Sequence, residues 1–320
     1  MNTKDKYIAD IIIVSYKNPD LTVQCVESIR RTIGNDYRLL IVDNASPDNT
    51  VRILQKQLPD VQIVVNKKNL GYSGAVNSGA ALCNSEFILI SNNDVIYRNG
   101  VIDGLLAMMQ KDKHIAVAGP AQEYADGTWQ ISYGDFPGVK LALKRMFFLE
   151  QAINLFKKLS KGFAVGNSKK LDVGYVDGAV MLVRRSVFES LNGFDEDFDF
   201  YTEETDFCYR VRQAKHRVVS NQSLTVTHLR GGSNNMGNLK EENIKKLIGS
   251  KVLFCKKHLS RGQMRFCLIV ESFTSFIVSK AMSFASIFMG GKLKQKFKRK
   301  ARVMKDFHRA RTEMMRVEKL

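Results

Sequence analysis

The sequence predicts an α/β fold, a mainly parallel sheet flanked by helices, continued by a helical and strongly basic C-terminal region. Three observations predict it. Short apolar runs alternate with amphipathic stretches through the first 120 residues, the strand–helix–strand repetition that right-handed crossovers and a parallel sheet require. The chain has 320 residues and is 44% hydrophobic, enough to bury a core and to exclude wholesale disorder. Charge is uneven: residues 251–320 hold 18 Lys+Arg against 4 Asp+Glu, so +14 of the formal +17 lies there.

Each element follows in turn. The polar start, Met1 to Asp10, leads into Ile11-Ile12-Ile13-Val14. That run is too short for the core of a signal peptide and reads as a buried strand, so the domain begins almost at residue 1. Strands are predicted at 10–16 (DIIIVSY), 37–43 (YRLLIVD), 61–65 (VQIVV), 86–91 (EFILIS) and 114–119 (HIAVAG). Helices are predicted between them at 19–32, 48–57, 71–83 and 99–111. Residues 135–172 interrupt the alternation with a cationic amphipathic insertion containing KLALKRMFFLEQAINLFKKLSKG. Strand character resumes over Val173–Arg184, a helix follows at 204–215, and strands at 217–220 and 223–228 complete a first domain of residues 1–240. Residues 241–320 read as helical, apolar and then basic.

Several chemistries are excluded. The five cysteines form no CxxC pair, so neither a zinc site nor a disulfide framework is indicated. The first strand runs into Ser15-Tyr16-Lys17-Asn18-Pro19 without a GxGxxG, and no GxxxxGK[ST] occurs, which leaves no support for a dinucleotide or P-loop site.

Ligands of such sheets lie beyond the carboxyl ends of the strands. The residues there are Ser15-Tyr16, Asp43-Asn44, Asn66 and Asn92-Asn93-Asp94. Asn92-Asn93-Asp94 suits an ordinary turn, or a carboxylate holding a divalent cation against a diphosphate. Glu203-Glu204-Thr205-Asp206 opens a helix after GFDEDFDFYT. Acidic residues suit a first helical turn, and a carboxylate partly desolvated by Phe and Tyr can also act as a general base. His228 closes SLTVTH ahead of a glycine loop, as a metal ligand or as an ordinary surface histidine. The small residues of Asn69–Gly79 allow either a close ligand approach or tight helix–sheet packing.

The segments IVSYKN, IVDNAS, NLGYSGAVNSG, ISNND, VDGAVMLVRRSVFESLNGFDE, YTEETDFCYRVRQAKHRVV and THLRGGS span residues 10–233, about seven-tenths of the chain. In that order they resemble glycosyltransferase family 2, and within it the rhamnosyltransferase-like branch. The resemblance implies a GT-A fold. Asp43 would read the nucleotide base, Ser15 and Tyr16 line its pocket, and Asn69, Gly71 and Asn93 lie on the nucleotide side. Asp94 matches the last Asp of the family's DxD element and would bind Mg2+ or Mn2+, with His228 as a second metal or diphosphate contact. Glu204 matches the catalytic base, Asp206 supports its loop, and Asp177, Gly178 and Glu203 shape the acceptor side. Two positions depart from the pattern: Asn92 replaces the first Asp of DxD, and Glu204 stands where many relatives carry Asp, beside a second glutamate, Glu203, that could equally face the acceptor.

The implied activity is inverting, metal-dependent transfer of a sugar from dTDP-L-rhamnose or a UDP-sugar to a glycan or lipid-linked glycan of a bacterial surface polysaccharide, such as an O-antigen or a capsule. The alternative from another class is a nonenzymatic carbohydrate-binding or scaffold protein. Asn92 speaks for it, and Asp94, Glu204 and His228 against. In the C-terminal region, residues 264–289 are largely apolar but contain Glu271 and Lys280, and Ser272, Ser275, Ser279, Ser283 and Ser286 form one polar stripe at helical spacing. No uncharged run there reaches the roughly 18 residues of a membrane span. The expectation is therefore a helix lying in the interface of an anionic membrane, with Lys292–Arg302 as a second signal, on the cytoplasmic side of the inner membrane, peripheral or monotopic. Packing of this helix on the domain or in a homodimer is the other use of such a face. Nucleic acid is not expected as a partner, since no motif for it is present.

Overall fold

The structure, a computed structural model, describes residues 7–33, 36–147, 170–198, 201–229 and 241–318. These residues fall into two compact units, divided at 136/137, 166/167 and 230/231.

The first unit holds β1 (Ala9–Ser15), α1 (Pro19–Arg30), β2 (Tyr37–Asp43), α2 (Thr50–Gln57), β3 (Gln62–Val65), α3 (Gly71–Ala80), β4 (Phe87–Asn92), β5 (Val95–Ile96), α4 (Val101–Lys111) and β6 (Ile115–Glu123). The short strands β7 (Trp129–Gln130) and β8 (Tyr133–Gly134) follow. After α5, which belongs to the second unit, come β9 (Lys170–Asp172), β10 (Tyr175–Val176), β11 (Val180–Arg184), α6 (Arg185–Ser190), α7 (Glu203–Gln213) and β12 (Arg217–His228). The main sheet has the order β3-β2-β1-β4-β11-β6-β12-β5. Strands β1, β2, β3 and β4 are mutually parallel, as are β6 and β12, and β11 enters antiparallel between β4 and β6.

Both faces of this sheet are covered, which explains the unbroken apolar runs. Ile11, Ile13, Phe87 and Leu89 point to one face with Val26 and Ile29 of α1 and Leu105 of α4. Ile12, Val14, Ile88 and Ile90 point to the other with Val76 of α3 and Phe207 of α7. The strands expected at 217–220 and 223–228 are one strand, β12, whose register against β6 slips between Asn221 and Thr225. The polar triplet Asn221-Gln222-Ser223 makes that bulge: the Asn221 carboxamide accepts from Ser223 N and Oγ at 3.1 and 2.6 Å, a local turn inside a continuing strand.

The second unit contains α5 (Val139–Met146), α8 (Glu241–His258), α9 (Arg261–Ala285) and α10 (Gly291–Val317). The insertion expected at 135–172 of the first domain is thereby reassigned where it is described: α5 groups with the C-terminal helices, and residues 148–169 lie outside the described residues. Helix α9 begins with a capping box in which Ser260 and Gln263 satisfy each other's backbone N–H. Ser272, Ser275 and Ser279 of its serine stripe are on the packed face, while Ser283 is exposed. Ser279 Oγ donates to Ala301 O at 2.9 Å, Ser275 Oγ accepts from Arg311 Nη1 at 2.7 Å, and Ser272 Oγ meets His308 Nδ1 at 2.8 Å. Glu271 is gripped by Arg145 Nη1 at 2.8 Å and Arg311 Nη2 at 2.9 Å. Burial alone would raise its pKa, but Arg311, Arg145 and Lys251 overcome it and hold the carboxyl at about 2. The outward face of α9 is apolar instead: Phe266, Ile269, Phe273, Phe276 and Ile277 are exposed, as are Phe284, Ile287 and Phe288 at and beyond its end.

Candidate functional site

The polar residues expected at the carboxyl ends of β1, β2, β3 and β4 converge in the first unit. Ser15 is fully buried, and its Oγ lies 3.0 Å from Thr22 Oγ1 on α1. The chain then turns through Lys17 and Asn18, both at positive φ, and leaves the Tyr16 ring exposed with the Lys17 ammonium 5.3 Å from its centroid. Asp43 is buried at the end of β2. Its two carboxylate oxygens accept from Ser46 N at 2.9 Å and Ser46 Oγ at 2.6 Å, and Ser46 Oγ in turn accepts from Lys17 N at 2.8 Å.

Asn44 ties this corner together, and sequence reasoning gave it no role. Its Nδ2 donates to Asn69 Oδ1 at 3.0 Å and Gly71 O at 2.9 Å. Its Oδ1 accepts from Asn66 Nδ2 at 3.1 Å and Leu70 N at 3.0 Å. All the amide's hydrogen-bonding capacity is spent on fixing residues 66–71 beside β2. Gly71 starts α3 at φ 71°, a backbone conformation that favours glycine. Asn69 and Gly71 are thus held by the neighbour of Asp43 in the chain. Asn93 donates from Nδ2 to Thr22 Oγ1 at 3.0 Å, which joins the end of β4 to α1.

Asp94 and His228 meet although 134 positions separate them in the chain. Pairing of β5 with the end of β12 brings them together, and Leu229 N donates to Asp94 O at 2.9 Å. His228 Nε2 lies 3.2 Å from Asp94 Oδ1. A carboxylate and an imidazole side by side are a chemically suitable pair for Mg2+ or Mn2+. They are only two ligands, and among the described residues no group of three or more His, Cys, Asp or Glu converges to hold a metal.

The residues expected on the acceptor side lie just ahead of β11 and at the start of α7. Asp177 Oδ1 accepts from Ala179 N at 2.9 Å and Gln122 Nε2 at 3.4 Å, and Gly178 O accepts from the Tyr72 hydroxyl at 2.7 Å. A Cβ at Gly178 would lie 3.4 Å from Glu204 Cβ, so these two positions adjoin. Burial, and then Asp177, raise the Glu204 carboxyl to about 7. Glu203 is more deeply buried, and burial followed by the Glu204 charge pushes it well above the carboxylate range. Its Oε2 has no hydrogen-bond partner among the described residues. Both carboxyls are thus raised, and at about 7 Glu204 lies where a carboxylate can take up a proton near neutral pH. Asp206 pairs with Arg210 at 2.7 Å, and Arg210 also donates to Leu191 O and Gly193 O. This ties down the turn ahead of α7. Tyr201 and Thr202, at φ 66° and 78°, introduce the helix. A β-branched residue there is strained, a signal of function that the sequence does not display.

A mainly parallel sheet covered by helices on both faces, with polar residues gathered at its strand ends, is the architecture of a GT-A fold. Two solved structures share the fold. The mannosyltransferase PcManGT from Pyrobaculum calidifontis, in complex with GDP-Man and Mn2+, superposes with a TM-score of 0.62 at 11% identity, covering 95% of this chain and 87% of that one. GalNAc-T7 with UDP, GalNAc and Mn2+ gives 0.58 at 12% identity, covering 93% and 55%.

The chain belongs to glycosyl transferase family 2, whose profile matches residues 10–191. It is 24% identical over 237 residues to the N-acetylglucosaminyl-diphospho-decaprenol L-rhamnosyltransferase of Mycobacterium tuberculosis, covering 69% of this chain and 76% of that protein. It is 25% identical over 223 residues to the low-salt glycan biosynthesis hexosyltransferase Agl10 of Haloferax volcanii, covering 68% and 66%. Sugar transfer is the activity that this membership carries.

Proposed function

We propose that the protein transfers a sugar, L-rhamnose foremost, from a nucleotide donor to a hydroxyl of a lipid-linked glycan at the cytoplasmic face of a membrane. The observation that carries the transfer is the placement of Glu204, held near 7, beside Asp177 and Gly178 in the same unit as the Asp43 and Asp94–His228 corners. The rhamnosyl and lipid-linked parts draw support from the name of the mycobacterial relative.

In this reading Asp43, Ser15, Tyr16 and the Asn44-fixed loop of Asn69 and Gly71 hold the nucleotide. Glu204 accepts the proton of the acceptor hydroxyl as that oxygen forms a bond to the anomeric carbon. The bond from that carbon to the diphosphate oxygen breaks on the opposite face, so configuration inverts and the nucleoside diphosphate departs. Asp94 and His228 would hold Mg2+ or Mn2+, which when bound neutralises charge developing on the departing diphosphate. Two protein ligands leave the remaining coordination to the donor, in keeping with Asn92 in place of a second carboxylate.

The same proposal assigns the first unit to catalysis and the second, α5 with the helices of residues 241–320, to the membrane. Helix α9 turns its serines inward and a row of Phe and Ile outward, and by length and composition it is apolar enough to cross a bilayer. The exposed Lys280 within it favours a position along the interface. Lys292, Lys294, Lys296, Lys298, Arg299, Lys300 and Arg302 are exposed on α10, a charge complement to anionic lipid.

A panel of sugar nucleotides screened by thermal shift with Mg2+ tests the donor, because a bound donor raises the melting temperature by mass action. Asp94→Ala should abolish both transfer and metal-dependent nucleotide binding. Full activity in excess EDTA would exclude the metal reading. For the membrane, Phe273→Ser with Phe284→Ser, and separately Lys294→Glu with Lys298→Glu, should each weaken co-sedimentation with anionic vesicles. Equal binding of all forms to neutral and anionic vesicles would exclude it.

A further inference from the structure

Helix α3 touches more of the site than its small residues alone would do. Its first turn is fixed at the nucleotide corner, where Asn44 Nδ2 donates to Gly71 O at 2.9 Å. Tyr72 comes next in the chain, and its hydroxyl donates to Gly178 O at 2.7 Å, 106 positions away. One residue further, Ser73 Oγ donates to Phe198 O at 3.2 Å. Asn77 then holds Phe194 by both backbone groups, accepting from its N at 2.9 Å and donating to its O at 2.8 Å. The helix that starts beside Asp43 thus also carries the contacts to Gly178 and to the chain that leads into α7.

The turn Asp177–Ala179 is held at both ends by backbone. Asp177 N donates to Ser132 O at 2.8 Å, and Ala179 O accepts from Asn92 N at 2.9 Å. Between these ties the Gly178 carbonyl faces Tyr72. A Cβ on Gly178 would lie 3.4 Å from Glu204 Cβ and 3.7 Å from Tyr72 Cε1, so this residue passes between Glu204 and the tyrosine ring. Asp177 Oδ1 accepts from Ala179 N at 2.9 Å within the same turn, and whatever holds the turn therefore holds the carboxylate. A carbonyl only accepts, so the hydroxyl must be the donor. Burial, then the charges of Glu203, Asp177 and Glu204, push the Tyr72 pKa well above its usual range and keep that proton in place. The titratable groups around Glu204 are Glu203 and Cys208 on its own helix, Asp177 ahead of β11 and Tyr72 on α3.

We infer that Tyr72 is a positioning residue whose hydroxyl holds the Asp177–Ala179 turn against Glu204, and so sets where the acceptor-side carboxylate stands relative to the base. This rests on the reading of Glu204 as the base. The nucleotide corner and the acceptor-side turn then share one rigid element, α3, which Asn44 grips on one side and Gly178 meets on the other. Phenylalanine at position 72 would keep the ring and its contact with Phe194, whose centroid is 6.4 Å away, and would take the donor from the Gly178 carbonyl.

Full-length protein labelled with 13C at the glutamate side-chain carboxyls is titrated by NMR without substrate, with the Glu204 signal assigned by its loss in Glu204→Gln. In the wild type this carboxyl should titrate near 7. Asp177→Asn, whose amide oxygen still accepts from Ala179 N, removes a charge that raises Glu204 and should lower that value. Tyr72→Phe should lower it too, by about one pH unit, the scale of one neutral hydrogen bond. The double variant should fall no further than Asp177→Asn alone, since no charge is left to position. An unmoved Glu204 in Tyr72→Phe, or a fall that adds in full to that of Asp177→Asn, overturns the assignment. Affinities for UDP and dTDP with Mn2+ should match in wild type and Tyr72→Phe, because Asn44 holds residues 66–71 without the hydroxyl. Weaker nucleotide binding by Tyr72→Phe would place the residue in the nucleotide corner and overturn the assignment as well. A wild-type Glu204 that titrates at an ordinary 4.5 removes the support for the base and for the role of Tyr72 together, and is seen without any variant. A wild type near 7 with an unmoved Tyr72→Phe removes the role of Tyr72 alone.

Discussion

Replacing Glu204 by glutamine keeps the size of the side chain and removes its basicity, and the structure assigns opposite signs to the two effects. Catalysis should suffer: loss of a general base typically costs about 10²–10⁴-fold in rate, while donor binding persists. Stability should rise. Burial, then Asp177, hold the folded carboxyl near 7 against an ordinary 4.5, so ionising it costs the fold about 3 kcal/mol at roughly 1.4 kcal/mol per pH unit. Below pH 4.5 the group is protonated in both states and the cost is absent. Between pH 4.5 and 7 the folded state keeps a proton that the unfolded chain releases, so stability falls as pH rises. Above pH 7 the full cost applies. Urea unfolding of Glu204→Gln and wild type at pH 4.5, 6 and 8 should show no difference at the first and a difference of up to about 3 kcal/mol in favour of the variant at the last. The wild-type kcat/KM should rise through an apparent pKa near 7. A variant that is no more stable at pH 8, or that turns over at near wild-type rate, would refute the reasoning and turn attention to Glu203.

Three further outcomes are expected. Asp43→Ala, which frees Ser46 and removes the carboxylate from the nucleotide corner, should raise the donor KM by about 10–100-fold with little change in kcat, the loss expected for a charged hydrogen bond. Gly178→Ala should fold normally, because its Cβ would make ordinary contacts at 3.4 Å to Glu204 and 3.7 Å to Tyr72, but it should raise the acceptor KM by crowding the base. Glu271→Gln leaves Arg145 and Arg311 without a counter-charge and should destabilise the helical unit by about 3–5 kcal/mol. In the wild type the Glu271 contribution is fully present above pH 4.5 and is lost as pH falls toward about 2, which an acid titration followed by far-UV circular dichroism would detect.

The strands were legible because a sheet covered on both faces needs apolar residues at every position, and runs such as Ile11–Val14 and Phe87–Ile90 supply them. Strand direction leaves no such trace, so the antiparallel entry of β11 was invisible. The serines of α9 show the limit of periodicity from the other side. Their spacing marks one face of a helix, but it does not say that the polar face turns inward to α10 while the phenylalanines turn out. In the site, Asp43, Asp94 and Glu204 could be picked out as carboxylates at element ends. Asn44 and Gln122 could not, because a neutral amide beside a strand end looks like a turn until its partners, distant in sequence, are brought up to it.

The place of β11 also constrains the order in which the chain can be built. β4 is apolar over Phe87–Ile90, and its neighbour on one side is β1, made early. Its neighbour on the other side is β11, which begins only at residue 180. During synthesis the ribosome therefore releases β4 with one edge of its backbone N–H and C=O groups unpaired until nearly ninety further residues have emerged, and a bare, flat, apolar edge is a template for association with other chains. A nascent chain halted before residue 180 should accordingly depend on chaperones to stay soluble, and one that has passed residue 184 should depend on them much less.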